Sequence, residues 1–115
     1  INEIIDLLEH NKDIHLLLDL GHLKVSSRIL NFNYLDAIEL LFERHPDRIA
    51  EIHLSENQGK YDDHELVYSY SIQYMIVKKY AHIINRNKIN VTIESRNSTV
   101  EDLVECSILV NDVIS

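Results

Sequence analysis

Ile1, Ile4, Ile5 and Leu8 fall on one side of a helix and the pattern fades at His10 and Asn11, so a helix is predicted at the start of the chain. From Ile14 to Leu20 the period changes from helical to alternating. Leu16, Leu18 and Leu20 share one face of a predicted strand there, and His15, Leu17 and Asp19 share the other. Leu35, Ile38, Leu41 and Phe42 restore the helical spacing over about Tyr34 to Arg44, ahead of Pro46. Arg48 to Leu54 reads as a second strand. Ser55 to Glu65 holds Asn57, Gly59, Asp62, Asp63 and His64 with few apolar residues, and reads as a functional loop. Ile72, Met75, Ile76, Tyr80 and Ile83 predict one long helix, Lys88 to Glu94 a third strand and Val100 to Ile114 a last helix, opened by a capping box of Ser98 and Glu101.

A helix followed three times by a strand and a helix predicts right-handed crossovers and a parallel α/β sheet, with about three strands and four helices. Strand parity refines this. One face is apolar throughout: Leu16 and Leu18, then Ala50, Ile52 and Leu54, then Ile89, Val91 and Ile93. The other is mixed: Leu17 and Asp19, then Ile49, Glu51 and His53, then Asn90, Thr92 and Glu94. A doubly wound sheet buries both faces under helices and is apolar on both, whereas a barrel lumen accepts polar side chains near its carboxyl end. The expected architecture is therefore part of a (β/α)8 TIM barrel.

At 115 residues the chain has room for one domain, a single segment over 1–115, and 45% hydrophobic content with 2 Gly and 1 Pro argues for a packed chain. The longest apolar run, Tyr74 to Val77, is far short of the roughly 18 residues a membrane span needs, so a cytoplasmic protein away from membranes is expected. Cys106, the one cysteine, has no internal disulfide partner and is expected as a core thiol. A net charge of −8 argues against nucleic acid as a partner. The chain opens at Ile1, inside an apolar helical pattern, as expected of a piece of something larger.

Singly, the ionisable strand residues have ordinary explanations. Asp19 can bind the backbone of the next turn, His53 can be a hydrogen-bonded core histidine and Glu94 can pair with Arg96. Their coincidence is more telling. On neighbouring parallel strands about 4.8 Å apart, Asp19, His53 and Glu94 leave the carboxyl ends with the same parity and converge on one point. Three such groups buried without a cation or a network would lose several kcal/mol to desolvation, so a divalent metal site is expected. His22, three residues past Asp19, can reach the same cavity. Asp62 and His64, two residues apart on the loop, can share a face toward one ion.

Asp19-x-Gly21-His22 at a strand end, His53-Leu54-Ser55-Glu56-Asn57 on the next, the Asp62-x-His64 pair and a strand ending in Glu94-Ser95 resemble the xylose-isomerase-like TIM barrels across nearly all of the chain. That superfamily includes sugar phosphate isomerases and epimerases and type IV apurinic endonucleases. The resemblance implies the sixth, seventh and eighth strands of a barrel whose amino-terminal part is missing. It further implies that Asp19, His53 and Glu94 bind one divalent metal (Mn, Mg, Co or Zn) together with a glutamate that has no counterpart here. Glu94 would also move a proton, through an enediolate, on a sugar or sugar phosphate, with His22 and Asn57 at the substrate. An isolated fragment is then expected to be inactive.

Two rivals share that fold. In an endonuclease, the positions of His22, Asp62 and His64 would bind further metal; the other is an iron-dependent peptide-modifying oxidase. A different class is a non-catalytic module whose open strand edges associate with a second copy or with the missing half.

Overall fold

The computed structural model describes residues 1–61, 63–96 and 98–115. It is an α/β structure with one open sheet of three parallel strands in the order β1-β2-β3. The strands are β1 (Leu16–Asp19), β2 (Ile49–Leu54) and β3 (Asn90–Ile93). Among the described residues there are six helices of α type: α1 (Asn2–His10), α2 (Leu20–Ile29), α3 (Tyr34–Arg44), α4 (Ile72–Lys79), α5 (Ala81–Arg86) and α6 (Val100–Ile114). None is long and apolar enough to cross a membrane.

Six helices replace the expected four, for two reasons. Asp19 ends β1 and at once caps α2, its Oδ1 accepting the backbone N–H of His22 at 2.9 Å, so strand passes into helix with no loop between. The long helix expected from Ile72 onward is broken at Tyr80 (φ −104°, ψ 16°), whose ring stacks on Phe42 of α3 at 4.3 Å between centroids. The cap of α6 also differs from expectation. Thr99, not Ser98, accepts the N–H of Asp102, at 3.1 Å, and Ser98 instead donates to the carbonyl of Arg96.

A bulge resets the parity of β2. Leu16 pairs with Ile49 but Leu17 pairs with Glu51, which leaves Ala50 as an extra residue. Ile49 therefore turns into the core at 3% exposure and Ala50 turns outward, the reverse of their expected faces. Beyond the bulge the register is regular: Asp19 lies opposite His53, and His53 opposite Thr92.

In a sheet of this order both crossovers run the same way, so the right-handed rule puts their helices on one face. The burial agrees. Leu18, Ile52 and Leu54 are buried in a single apolar cluster with Leu41, Phe42, Val77, Ile84 and Val110, whereas Leu17 on the opposite face is 53% exposed. The mixed face, with Leu17, Glu51 and Thr92, is the uncovered one.

Arg48 ties α1 to the foot of β2. Its Nη1 donates to the carbonyl of Leu8 and its Nε to that of Ile14, each at 2.8 Å, and its Nη2 to that of Asn11. One guanidinium thus takes the carbonyl of Leu8 in the last turn of α1, that of the cap Asn11 and that of Ile14 beyond it, while Asn11 Nδ2 takes that of Leu7. Replacing Arg48 with alanine is expected to lower stability by about 2–3 kcal/mol, since hydrogen bonds to charged groups contribute roughly 1.5–3 kcal/mol each and these are partly exposed. A denaturant midpoint unchanged by the substitution would contradict this.

Cys106 lies in the core at 4% exposure with its Sγ donating to the carbonyl of Val67. Burial pushes the thiol's pKa up, and that hydrogen bond offsets part of the rise. The native protein at neutral pH is expected to leave Cys106 unreacted with a thiol reagent such as DTNB until denaturant is added; prompt reaction of the folded chain would show the packing to be wrong.

Candidate functional site

The carboxyl ends of the strands carry the site. Asp19 ends β1, His53 is the penultimate residue of β2 and Glu94 follows β3 directly, its N–H donating to the carbonyl of Leu54 at 2.9 Å. One ligand atom from each of the three lies within 4.8 Å of the others. Glu94 stands one residue pair higher than Thr92, the register partner of His53, and its Oε1 is 3.3 Å from His53 Nδ1. Among the described residues no lysine or arginine forms an ion pair with Asp19 or Glu94. Two carboxylates therefore meet with an imidazole between them.

Asp19 serves two neighbours. While Oδ1 caps α2, Oδ2 lies 3.1 Å from His22 Nδ1, and this keeps the exposed His22 ring beside the strand ends. His64 arrives from the loop after β2. Its backbone adopts the left-handed region at φ 54°, its Nδ1 lies 3.0 Å from Ser55 Oγ, and its carbonyl accepts from Arg96 N–H. That places the His64 ring edge-on to His22 with 6.1 Å between centroids. Asp62 lies outside the described residues.

Asn57, expected at the substrate, is instead buried at 1% exposure inside the loop. Its Nδ2 donates to the carbonyl of Gly21 at 3.0 Å and its Oδ1 accepts from Gly59 N–H at 2.7 Å, so the carboxamide ties the loop to the start of α2. A buried network continues from there. Glu56 takes Lys24 Nζ at 3.2 Å and the N–H groups of Asn57 and Gln73, and Lys24 also reaches the carbonyl of Asn57. Gln73 Oε1 accepts from Ser55 N–H while its Nε2 donates to Ser55 C=O, both at 2.8 Å, much as a neighbouring strand would. Backbone bonds between Glu56 and Glu65 close the stem of the loop. Tyr34 packs beneath, donating to the carbonyl of Leu20 at 2.7 Å; burial, with the charges of Glu56 and Asp19, raises its pKa and keeps the phenol a donor.

Two residues near the three donors, Glu51 and Thr92, are not among the site residues the sequence predicts. Glu51 Oε1 accepts from Thr92 Oγ1 at 2.8 Å and lies 3.1 Å from His53 Nε2. The Thr92 hydroxyl first, and His53 second, hold its carboxyl below the usual carboxylate range. The available signal was parity, since an acidic residue two positions before a candidate ligand shares its face.

No protein-family model matches this chain. No solved structure matches it either. The chain is similar to the uncharacterized protein MJ1614 of Methanocaldococcus jannaschii, with 29% identity over 101 residues, which cover 88% of this chain and 35% of that protein. It therefore spans about a third of the length of the curated relative it matches.

Proposed function

We propose that this chain is the carboxyl-terminal part of a (β/α)8 barrel of the xylose-isomerase-like kind, and that Asp19, His53 and Glu94 hold a divalent cation in a sugar or sugar-phosphate isomerase or epimerase of the cytoplasm. The observation that carries the reading is the convergence of one donor atom from each strand end within 4.8 Å. The helix-free polar face supports it, because a barrel lumen is polar where side chains gather at the carboxyl ends of the strands. The donor set fits such an ion. Two carboxylates crowd one another with no ion-paired lysine or arginine among the described residues, and a cation relieves that repulsion.

Oxygen and imidazole donors without thiolate suit Mn, Mg, Co or Zn, and the ion when bound would supply Lewis-acid polarisation of a carbonyl and a template for adjacent substrate oxygens. The chain's own residues supply the rest. Glu94, with 39% of its side chain exposed, takes and returns the proton on the carbon beside that carbonyl. His22, 59% exposed and held by Asp19, hydrogen-bonds a substrate oxygen. The uncovered face and the two edge strands leave room for the remaining strands of a barrel or for a second copy.

Calorimetric titration with Mn²⁺ tests the reading, with one ion per chain expected. A chain that takes up neither Mn²⁺, Co²⁺ nor Zn²⁺ would end it. The edge-on approach of His64 to His22 favours one second reading, an endonuclease-like phosphodiesterase with further ions on that side. Assays of the complete protein on keto sugars and on DNA with abasic sites separate the two, and the chain's charge of −8 favours the sugars.

A further inference from the structure

Glu51 and His53 leave β2 on the same face, and Thr92 stands opposite His53 on β3. The three form a line. Thr92 Oγ1 donates to Glu51 Oε1 at 2.8 Å, and that oxygen lies 3.1 Å from His53 Nε2. The other ring nitrogen, Nδ1, faces Glu94 at 3.3 Å. Of the two contacts only the one at Nε2 has hydrogen-bond geometry, and an ionised carboxylate can only accept, so in the neutral ring the proton belongs to Nε2. In a neutral imidazole protonated there, Nδ1 carries the free lone pair.

We propose that Glu51, itself anchored by Thr92, is a positioning residue that fixes His53 as its Nε2–H tautomer and so presents Nδ1 as a donor on the side of Glu94. The role in metal binding rests on the reading above; the tautomer does not. Glu51 stands behind the histidine, on the nitrogen turned away from Glu94. Without it the ring is free to rotate and to carry its proton on either nitrogen, and a histidine that ligates a cation gains basicity from a carboxylate on its other nitrogen. Thr92 contributes by fixing the carboxylate, which is 35% exposed and otherwise free to swing into solvent.

The test uses the 115-residue chain without metal, with ¹⁵N-labelled histidine, at about pH 8, above the ordinary histidine pKa; the His53 signals are assigned by their loss in His53→Gln. A pyrrole-type signal at Nε2 and a pyridine-type signal at Nδ1 are expected, and the pattern averages toward a tautomer mixture in Glu51→Leu. Mn²⁺ affinity is expected to fall about 10–100-fold in Glu51→Leu, as for other partners of a ligating histidine, and by less in Thr92→Val. Glu51→Met, which also removes the acceptor but keeps an unbranched side chain of similar length, serves if leucine unfolds the sheet. A wild-type Nδ1–H tautomer, or one indifferent to Glu51, overturns the proposal. Failure of the wild-type chain to bind Mn²⁺, Co²⁺ or Zn²⁺ ends the metal reading, while an Nε2–H tautomer lost in Glu51→Leu still upholds the positioning.

Discussion

Gly21→Ala is expected to destabilise the protein by about 2–4 kcal/mol, although the same change inside a helix ordinarily stabilises by up to about 1 kcal/mol. Gly21 is the second residue of α2 and is buried against the end of β2. A Cβ at this position would overlap the carbonyl oxygen of Ser55, with Asn57 Nδ2 and Asp19 Oδ1 each 3.4 Å away. None of these can retreat cheaply. The Ser55 carbonyl is held by Gln73 Nε2, Asn57 by Gly21 and Gly59, and Asp19 by the cap of α2. Overpacking a tight site usually costs about 1–3 kcal/mol, and moving this carbonyl would also loosen buried hydrogen bonds. Urea unfolding reads the effect as a lower midpoint with unchanged slope. A midpoint equal to or above that of the wild type would show that the contact is not as close as described.

His53→Ala should reduce Mn²⁺ affinity by more than about 100-fold, given that even partners behind a ligating histidine contribute roughly 10–100-fold. The fold should survive. His53 projects from the uncovered face, while the neighbours that anchor β2, Ile52 and Leu54, are wholly buried on the other side. In the complete protein the same change should abolish turnover together with metal retention. Circular dichroism and calorimetry on one sample separate the outcomes: wild-type Mn²⁺ affinity in the variant would remove His53 from the site, and loss of helical signal would make it a structural residue.

Much of this arrangement was legible because period and parity are local properties. The end of α3 follows from the apolar spacing that stops before Pro46, and α6 spans the expected Val100 to Ile114 although Thr99 and not Ser98 caps it. Asp19, His53 and Glu94 were found because same-face residues on adjacent parallel strands come together wherever the register permits. Three features escaped for physical reasons. α2 contains Gly21, Ser26 and Ser27, which weaken a helical pattern, and its cap is the last residue of a strand. The break at Tyr80 lies within an unbroken apolar rhythm and depends on stacking with Phe42, distant in sequence. The bulge at Ala50 depends on pairing with β1 and leaves no trace in the composition of β2. Asn57 is expected at the substrate and lies buried in the loop instead, because a carboxamide that holds a loop and one that holds a ligand look alike until burial is known.

The clamp made by Arg48 has a consequence for how this sequence can drift. Its three acceptors are main-chain oxygens, and every amino acid brings one. Position 11 is met by the clamp only through its carbonyl, so a replacement there keeps the clamp and loses only the bond from Asn11 Nδ2 to the carbonyl of Leu7. Position 48 has no such latitude, because only a planar fork with donors on three nitrogens can serve all three oxygens at once. Lineages of this chain should therefore vary at position 11 more readily than at position 48, where arginine is held.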